Sequence, residues 1–180
     1  MTLSVQLSSP LALYRKLERE AYRAYHADTA MHKADHFFNF CVTASSMRDY
    51  VFEHMNLISA AQKQPNYQIW SQIPSLLTAA EIANLSKHFT LRDKKTGQTA
   101  KPKTKSVRFK KSVFFDIYTN EIGDIKWVEN LKSDVKITLS DGQVLGLYEF
   151  TRDVLQYWKS YLSSIGLKVR RQPFAQLAGK

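Results

Sequence analysis

The hydrophobic repeat of this chain changes period twice. Up to about residue 89 apolar residues recur every three or four positions, over 106–147 they alternate, and over 148–165 the helical spacing returns. Spacing near 3.6 coats one face of a helix, whereas alternation coats one face of a strand. The expectation is a helical protein with a β segment inserted late. A length of 180 residues suits a single core and a single domain, 1–180.

Ser9-Pro10 marks the first helix, with Ser as N-cap and Pro at the first helical position. Leu13, Leu17, Ala21, Ala24 and Ala27 continue it to about 28. Residues 1–8 alternate and are expected to form a short extended arm. The second helix is expected over about 30–55, where Phe37, Phe40, Cys41, Ala44, Met47 and Val51 cover so wide an arc that the helix should be central. A short helical extension near 57–63 is expected to end at Pro65-Asn66. The third helix starts at Pro74-Ser75 and runs through Leu76, Ala79, Ala80, Ile82 and Ala83 to about Phe89. Strands are expected over 106–118, 125–128, 135–139 and 144–147, with Asp141-Gly142 supplying a tight turn between the last two. On the first of them, Phe109 and Phe115 should point into the core and the lysines outward. The fourth helix spans about 148–165 and stops at Gly166. The expected fold is α+β and predominantly α: a four-helix bundle with a small antiparallel β insertion, a hairpin or meander, between helices 3 and 4. The insertion covers 92–147, and 167–180 forms a basic tail.

Charge is concentrated in the same region. Residues 87–111 hold ten basic side chains (Lys87, Arg92, Lys94, Lys95, Lys101, Lys103, Lys105, Arg108, Lys110 and Lys111) and one acid, Asp93, which is +9 of the formal +10. The remaining 16 basic and 15 acidic groups nearly cancel. A neutral body with one cationic arm calls for a polyanionic partner. The nine cations from Arg92 to Lys111 are the candidate nucleic-acid contacts, and Phe109, Phe114, Phe115 and Tyr118 among them could stack on unpaired bases. The alternative is a non-catalytic interaction subunit whose basic hairpin docks on an acidic protein. No apolar run suits a secretory signal or a membrane span, so no membrane partner is expected. The single Cys41 cannot form an internal disulfide, and together with its apolar neighbours it points to a buried residue of a reducing, cytoplasmic compartment. His32 and His36 lie four apart on a helix but have no convincing third ligand, so neither a metal nor a cofactor is expected.

At the end of the third helix stands Ala83-Asn84-Leu85-Ser86-Lys87-His88-Phe89, where Glu81, Asn84 and His88 stack as one polar ridge. A His beside cations could move a proton in metal-free RNA cleavage, with Lys87 or Arg48 stabilising the phosphorane charge. The bland alternative is that Asn84 and His88 satisfy a helix end.

The long central helix followed by this string resembles the HEPN-type helical bundles over about residues 35–92. The resemblance implies an RNA-directed protein of a toxin–antitoxin, abortive-infection or antiviral system, a metal-independent endoribonuclease where its motif is complete, and pairing of two motifs across a homodimer. Within that motif His88 matches the histidine and Asn84 the polar residue, while Ala83 occupies the position of the arginine. Two looser spacings also fit, Arg48-Asp49 through His54 and Arg19 through His26, about as many as chance supplies. RNA rather than DNA is the expected partner, with a protein partner as the other possibility.

Overall fold

The computed structural model describes residues 7–85, 104–119, 123–139 and 142–170, except for the side chains of Leu85, Lys105 and 114–119. It is mostly helical with one small antiparallel sheet. The elements are α1 (Pro10–His26), α2 (Ala30–His54), α3 (Ala60–Trp70), α4 (Pro74–Leu85), β1 (Thr104–Thr119), β2 (Ile125–Leu139), β3 (Val144–Gly146) and α5 (Leu147–Ser164). Residues 1–6, the 86–89 end of the expected third helix and 171–180 of the tail lie outside the described residues.

Local chemistry sets the helix ends. Ser9 Oγ accepts from the Ala12 amide at 3.1 Å, and Thr29 Oγ1 accepts from the His32 amide at 3.2 Å. Each satisfies one of the orphan amides of a helix start. α2 ends with Asn56 at φ 55°, the Leu57 amide donating to Phe52 O at 2.8 Å and the Asn56 amide to Glu53 O at 3.1 Å. α5 ends in the same way at Gly166, φ 86°, with the Leu167 amide donating to Leu162 O at 2.9 Å. Both are left-handed stops that close the last open carbonyls.

There are five helices among the described residues, not the four expected. α1, α2, α4 and α5 pack in a ring, with α2 against both α1 and α4. α3 is the addition. It starts at the Ser59–Gln62 capping box and runs straight through Pro65, where the chain was expected to break. Proline deletes the bond to the carbonyl four residues earlier. That carbonyl belongs to Ala61, an exposed residue like Pro65 itself, so water can serve it. The far end of α3 is anchored by tertiary contacts. Trp70 is buried against Phe52, Trp158 and Tyr161, and the Tyr161 hydroxyl donates to Asn66 Oδ1 at 2.7 Å.

The insertion is likewise more continuous than expected. The proposed strands 125–128 and 135–139 are parts of one 15-residue strand, β2. It pairs with β1 in an unbroken antiparallel register from Thr119↔Ile125 to Ser106↔Thr138, with one irregularity before Thr104↔Leu139. β3 adds only three pairs beside β2, giving the order β1-β2-β3. Gly142 has the positive φ expected of the turn, whereas Asp141 lies outside the described residues. A hairpin of this length reaches about 50 Å. Its root is seated on the bundle, where Val135 and Ile137 are fully buried and Leu139 nearly so. Its far half is not, and Phe109 is 39% exposed rather than a core residue. The side chain of Phe115 lies outside the description.

One buried cation joins the layers. Lys33, 1% exposed, donates from Nζ to Ala24 O and Tyr25 O, both at 2.8 Å. A positive charge on the carbonyl end of α1 offsets the helix dipole and closes two orphan acceptors. Burial pushes the Lys33 ammonium below its usual range, while Asp134 on β2 works in the opposite direction. Lys33→Met should therefore cost about 1–3 kcal/mol, the penalty of leaving buried acceptors unpaired, read as a lower urea midpoint with unchanged slope.

Burial also raises the phenol pKa values of Tyr14, Tyr157 and Tyr161 above the ordinary 10.0. A raised folded-state value adds stability that is present below the unfolded value and lost above it. Lys33, lowered from 10.5, acts in the opposite sense and is a single group against three. Stability should fall as pH rises above 10.0, and Tyr14→Phe should blunt that fall in alkaline melts.

Candidate nucleic-acid interface

The β1–β2 register decides where the charges of the insertion go. Side chains directly opposite each other share a face, and successive residues alternate between faces. Arg108 is opposite Lys136, Lys110 opposite Asp134, Ser112 opposite Lys132, and Tyr118 opposite Lys126. Five cations, Arg108, Lys110, Lys126, Lys132 and Lys136, thus occupy one face, with Asp116 and Asp134 the acidic positions on it. The other face has Lys111 opposite Ser133 and Glu129 opposite Phe115, one charge of each sign among apolar positions.

Asp134 offsets one of these five cations, Lys136. It is 8% exposed, and its carboxylate accepts from Lys136 Nζ at 3.0 Å, Ser112 Oγ at 3.3 Å and the Val135 amide at 2.8 Å. Arg108 and Lys110 are exposed and have no ion-pair partner among the described residues. Like charges directly opposite on a ladder repel, so the Arg108–Lys136 pair gains when an anion lies between them.

The remaining cations of the basic stretch lie between α4 and the start of β1 in the sequence. Glu81 Oε2 on α4 accepts from both the amide and the hydroxyl of Thr104, each at 2.7 Å, and Thr104 is 4% exposed. The chain therefore leaves α4 and rejoins the sheet at one place. Lys87, His88, Arg92, Lys94, Lys95, Lys101 and Lys103 fall between these points and lie outside the described residues. Lys105 is described only through the backbone of β1. Glu81, expected on the polar ridge with Asn84 and His88, instead fastens the hairpin.

The other catalytic candidates are not brought together by any described bond. Asn84 is exposed on the last turn of α4, and Ala83 is 2% exposed. Arg48 is half-buried and donates from Nε to Ser45 O at 3.1 Å and from Nη2 to Ser45 Oγ at 2.9 Å, both on its own helix. It lines a cleft of about 190 Å³ with Tyr67, Trp70, Ser71 and Trp158. His54 is exposed at the end of α2, and Asp49 lines a different cleft with Glu53 and Lys63. His26 stacks on Tyr22 at 4.2 Å. His36 Nδ1 is 3.0 Å from Glu20 Oε2, whose other oxygen accepts from Arg23 at 3.1 Å. No group of three metal-ligating side chains occurs among the described residues. Cys41 is fully buried and its thiol pushed well up by that burial, which makes it inert.

One feature escaped the sequence reading altogether. α1 and α5 enclose a trough of about 540 Å³ lined by Tyr14, Tyr22, Tyr25, Tyr148, Arg152 and Lys159. The sequence carries one sign of it, Tyr14 and Tyr25 on either side of the apolar stripe of the first helix. Tyr22 belongs to the same helix, and Tyr148 joins them only because α5 returns beside α1.

No helix among the described residues is long and apolar enough to cross a membrane. Comparison with known proteins finds no matching family model, no similar curated protein and no matching solved structure.

Proposed function

We propose that this chain binds nucleic acid, RNA rather than DNA, through the cationic face of its hairpin together with the lysine-rich stretch that precedes it in the sequence. The observation that carries the reading is the register: it sorts five cations onto one face of a projecting ribbon while the single described acid there is buried and already bonded. A stripe of this kind tracks a phosphate backbone without reading bases. The preference for RNA, the HEPN-like label and the toxin or phage-defence setting come from the resemblance of residues 35–92. The reading is of a binding protein rather than a ribonuclease, since Ala83 is a core residue and Arg48 is turned onto Ser45.

Affinity for a single-stranded RNA should fall linearly on a log–log plot against salt, with a slope of about −0.7 per phosphate neutralised. Replacing Arg108, Lys110 and Lys132 together by Ala should make the slope shallower by about 2 units, while Lys159→Ala on α5 should leave it unchanged. A triple variant that binds as tightly as the parent at the same salt, measured by fluorescence anisotropy, would remove the hairpin from the interface.

Total RNA incubated with the protein in EDTA should stay intact on a denaturing gel. Cleavage that disappears in His88→Ala would replace this reading with the metal-independent ribonuclease.

A further inference from the structure

α2, α3, α4 and α5 all contribute to the cleft of about 190 Å³ that Arg48 lines. Its inner wall is apolar, with Trp70, Trp158, Leu76 and Ala44 all buried. Tyr67 and Ser71 are exposed and form its rim. Among the described residues that line it, Arg48 alone is charged. Arg15, Arg23 and Arg152 each meet a carboxylate, whereas the half-buried Arg48 meets none among the described residues. Its bonds to Ser45 use Nε and one N–H of Nη2, which is the side edge of the guanidinium. They hold its plane against α2. The end-on fork, made by Nη1 and the second N–H of Nη2, has no partner among the described residues. A half-buried cation that faces no acid draws an anion more strongly than an exposed one, because water and salt screen it less.

We propose that this cleft binds a small aromatic monocarboxylate. Geometry selects the head group. The two N–H groups of an end-on guanidinium fork match the two oxygens of a carboxylate, and Ser45 acts as a positioning residue by fixing the plane of that fork. Charge sets the valence. One guanidinium balances one negative charge, and a phosphate dianion would bring a second into a wall of indole and leucine with nothing to pair it. Volume sets the body. An apolar cavity of about 150 Å³ takes one benzene ring, so 190 Å³ takes a ring and its carboxylate. It falls short of the roughly 300 Å³ at which drug-sized ligands begin. The walls suit a ring as well. Trp70 and Trp158 are tilted by 58° with centroids 5.4 Å apart, and Tyr67 stands edge-on to Trp70 at 6.2 Å. A third ring in such a cluster finds both faces and edges to pack on.

The cleft belongs to the helical body, so this inference does not rest on RNA binding, and its test is run on the full chain freed of nucleic acid. Proton–nitrogen correlation spectra are recorded through a titration with sodium benzoate, against the same concentrations of sodium chloride. The indole N–H signals of Trp70 and Trp158 should move together and saturate with a Kd of about 0.1–1 mM. The signal of Trp127, identified by its loss in Trp127→Phe, should stay still because Trp127 is on the hairpin. Benzamide has the same shape without the charge and should bind at least about tenfold more weakly, a comparison that needs no variant. Arg48→Gln should weaken benzoate by at least about tenfold and leave benzamide unchanged. Arg48→Lys, which keeps the charge and loses the fork, should recover only part of the affinity. Four results would each overturn the proposal: no saturable shift up to about 10 mM benzoate, equal affinity for benzamide, an Arg48→Gln chain that binds benzoate like the parent, or the same shifts from inorganic phosphate.

Discussion

The seating of the hairpin root is the contact on which the rest depends. A ribbon of two strands has no core of its own, so its direction and register must be imposed from outside. Val135, Ile137 and Leu139 supply this by burying one edge of the root in the bundle. β3 extends the sheet at the same height, pairing Lys136 with Gly146, and Gly146 immediately precedes α5. Glu81 holds the other strand through Thr104. Register is fixed here and then propagates outward, because a slip of one residue would exchange the two faces of the ribbon and take Val135 and Ile137 out of the core. The sorting of charge along the distal half is thus a remote consequence of apolar burial at the root.

The bundle is built to bear that load. α2 is central, with α1 and α4 against it and the root of β2 touching it. Phe37 and Phe40 meet Phe150 of α5, and Phe52, Trp70 and Trp158 form a second aromatic contact at the opposite end of α2. Lys33 lies where α1, α2 and the sheet converge, a cation that is buried only because the end of α1 offers it two carbonyls. Electrostatics is used differently at the two levels. Inside the body Glu18 is paired with Arg15 and Glu20 with Arg23. Along the hairpin Arg108 and Lys110 are left unmatched by any described residue.

Two faces of one ribbon therefore carry two different chemistries. The cationic face attracts at long range and is sensitive to salt. The other face, largely apolar among the described residues, acts only on contact, through area and shape.

The helices were legible because their causes are local. Ser9-Pro10, the apolar stripe of α1, the wide arc of α2 and Gly166 each act within a few residues, and capping and periodicity do not depend on distant chain. The concentration of charge was also legible, being a property of composition alone. α3 was missed beyond Pro65 because what sustains it is Trp70 in an aromatic cluster with Phe52 and Trp158, far apart in sequence. Phe109 was misplaced because alternation tells which side chains share a face but not whether anything covers that face. β2 was cut in two because residues 129–134 have little strand character of their own and are extended by pairing with β1. The amino-acid order by itself determined which segments are helical and where positive charge accumulates, since both are set by neighbours along the chain. Only the tertiary structure decided which side of the hairpin those charges occupy and which side stays bare, since that follows from a register anchored by residues buried at its root.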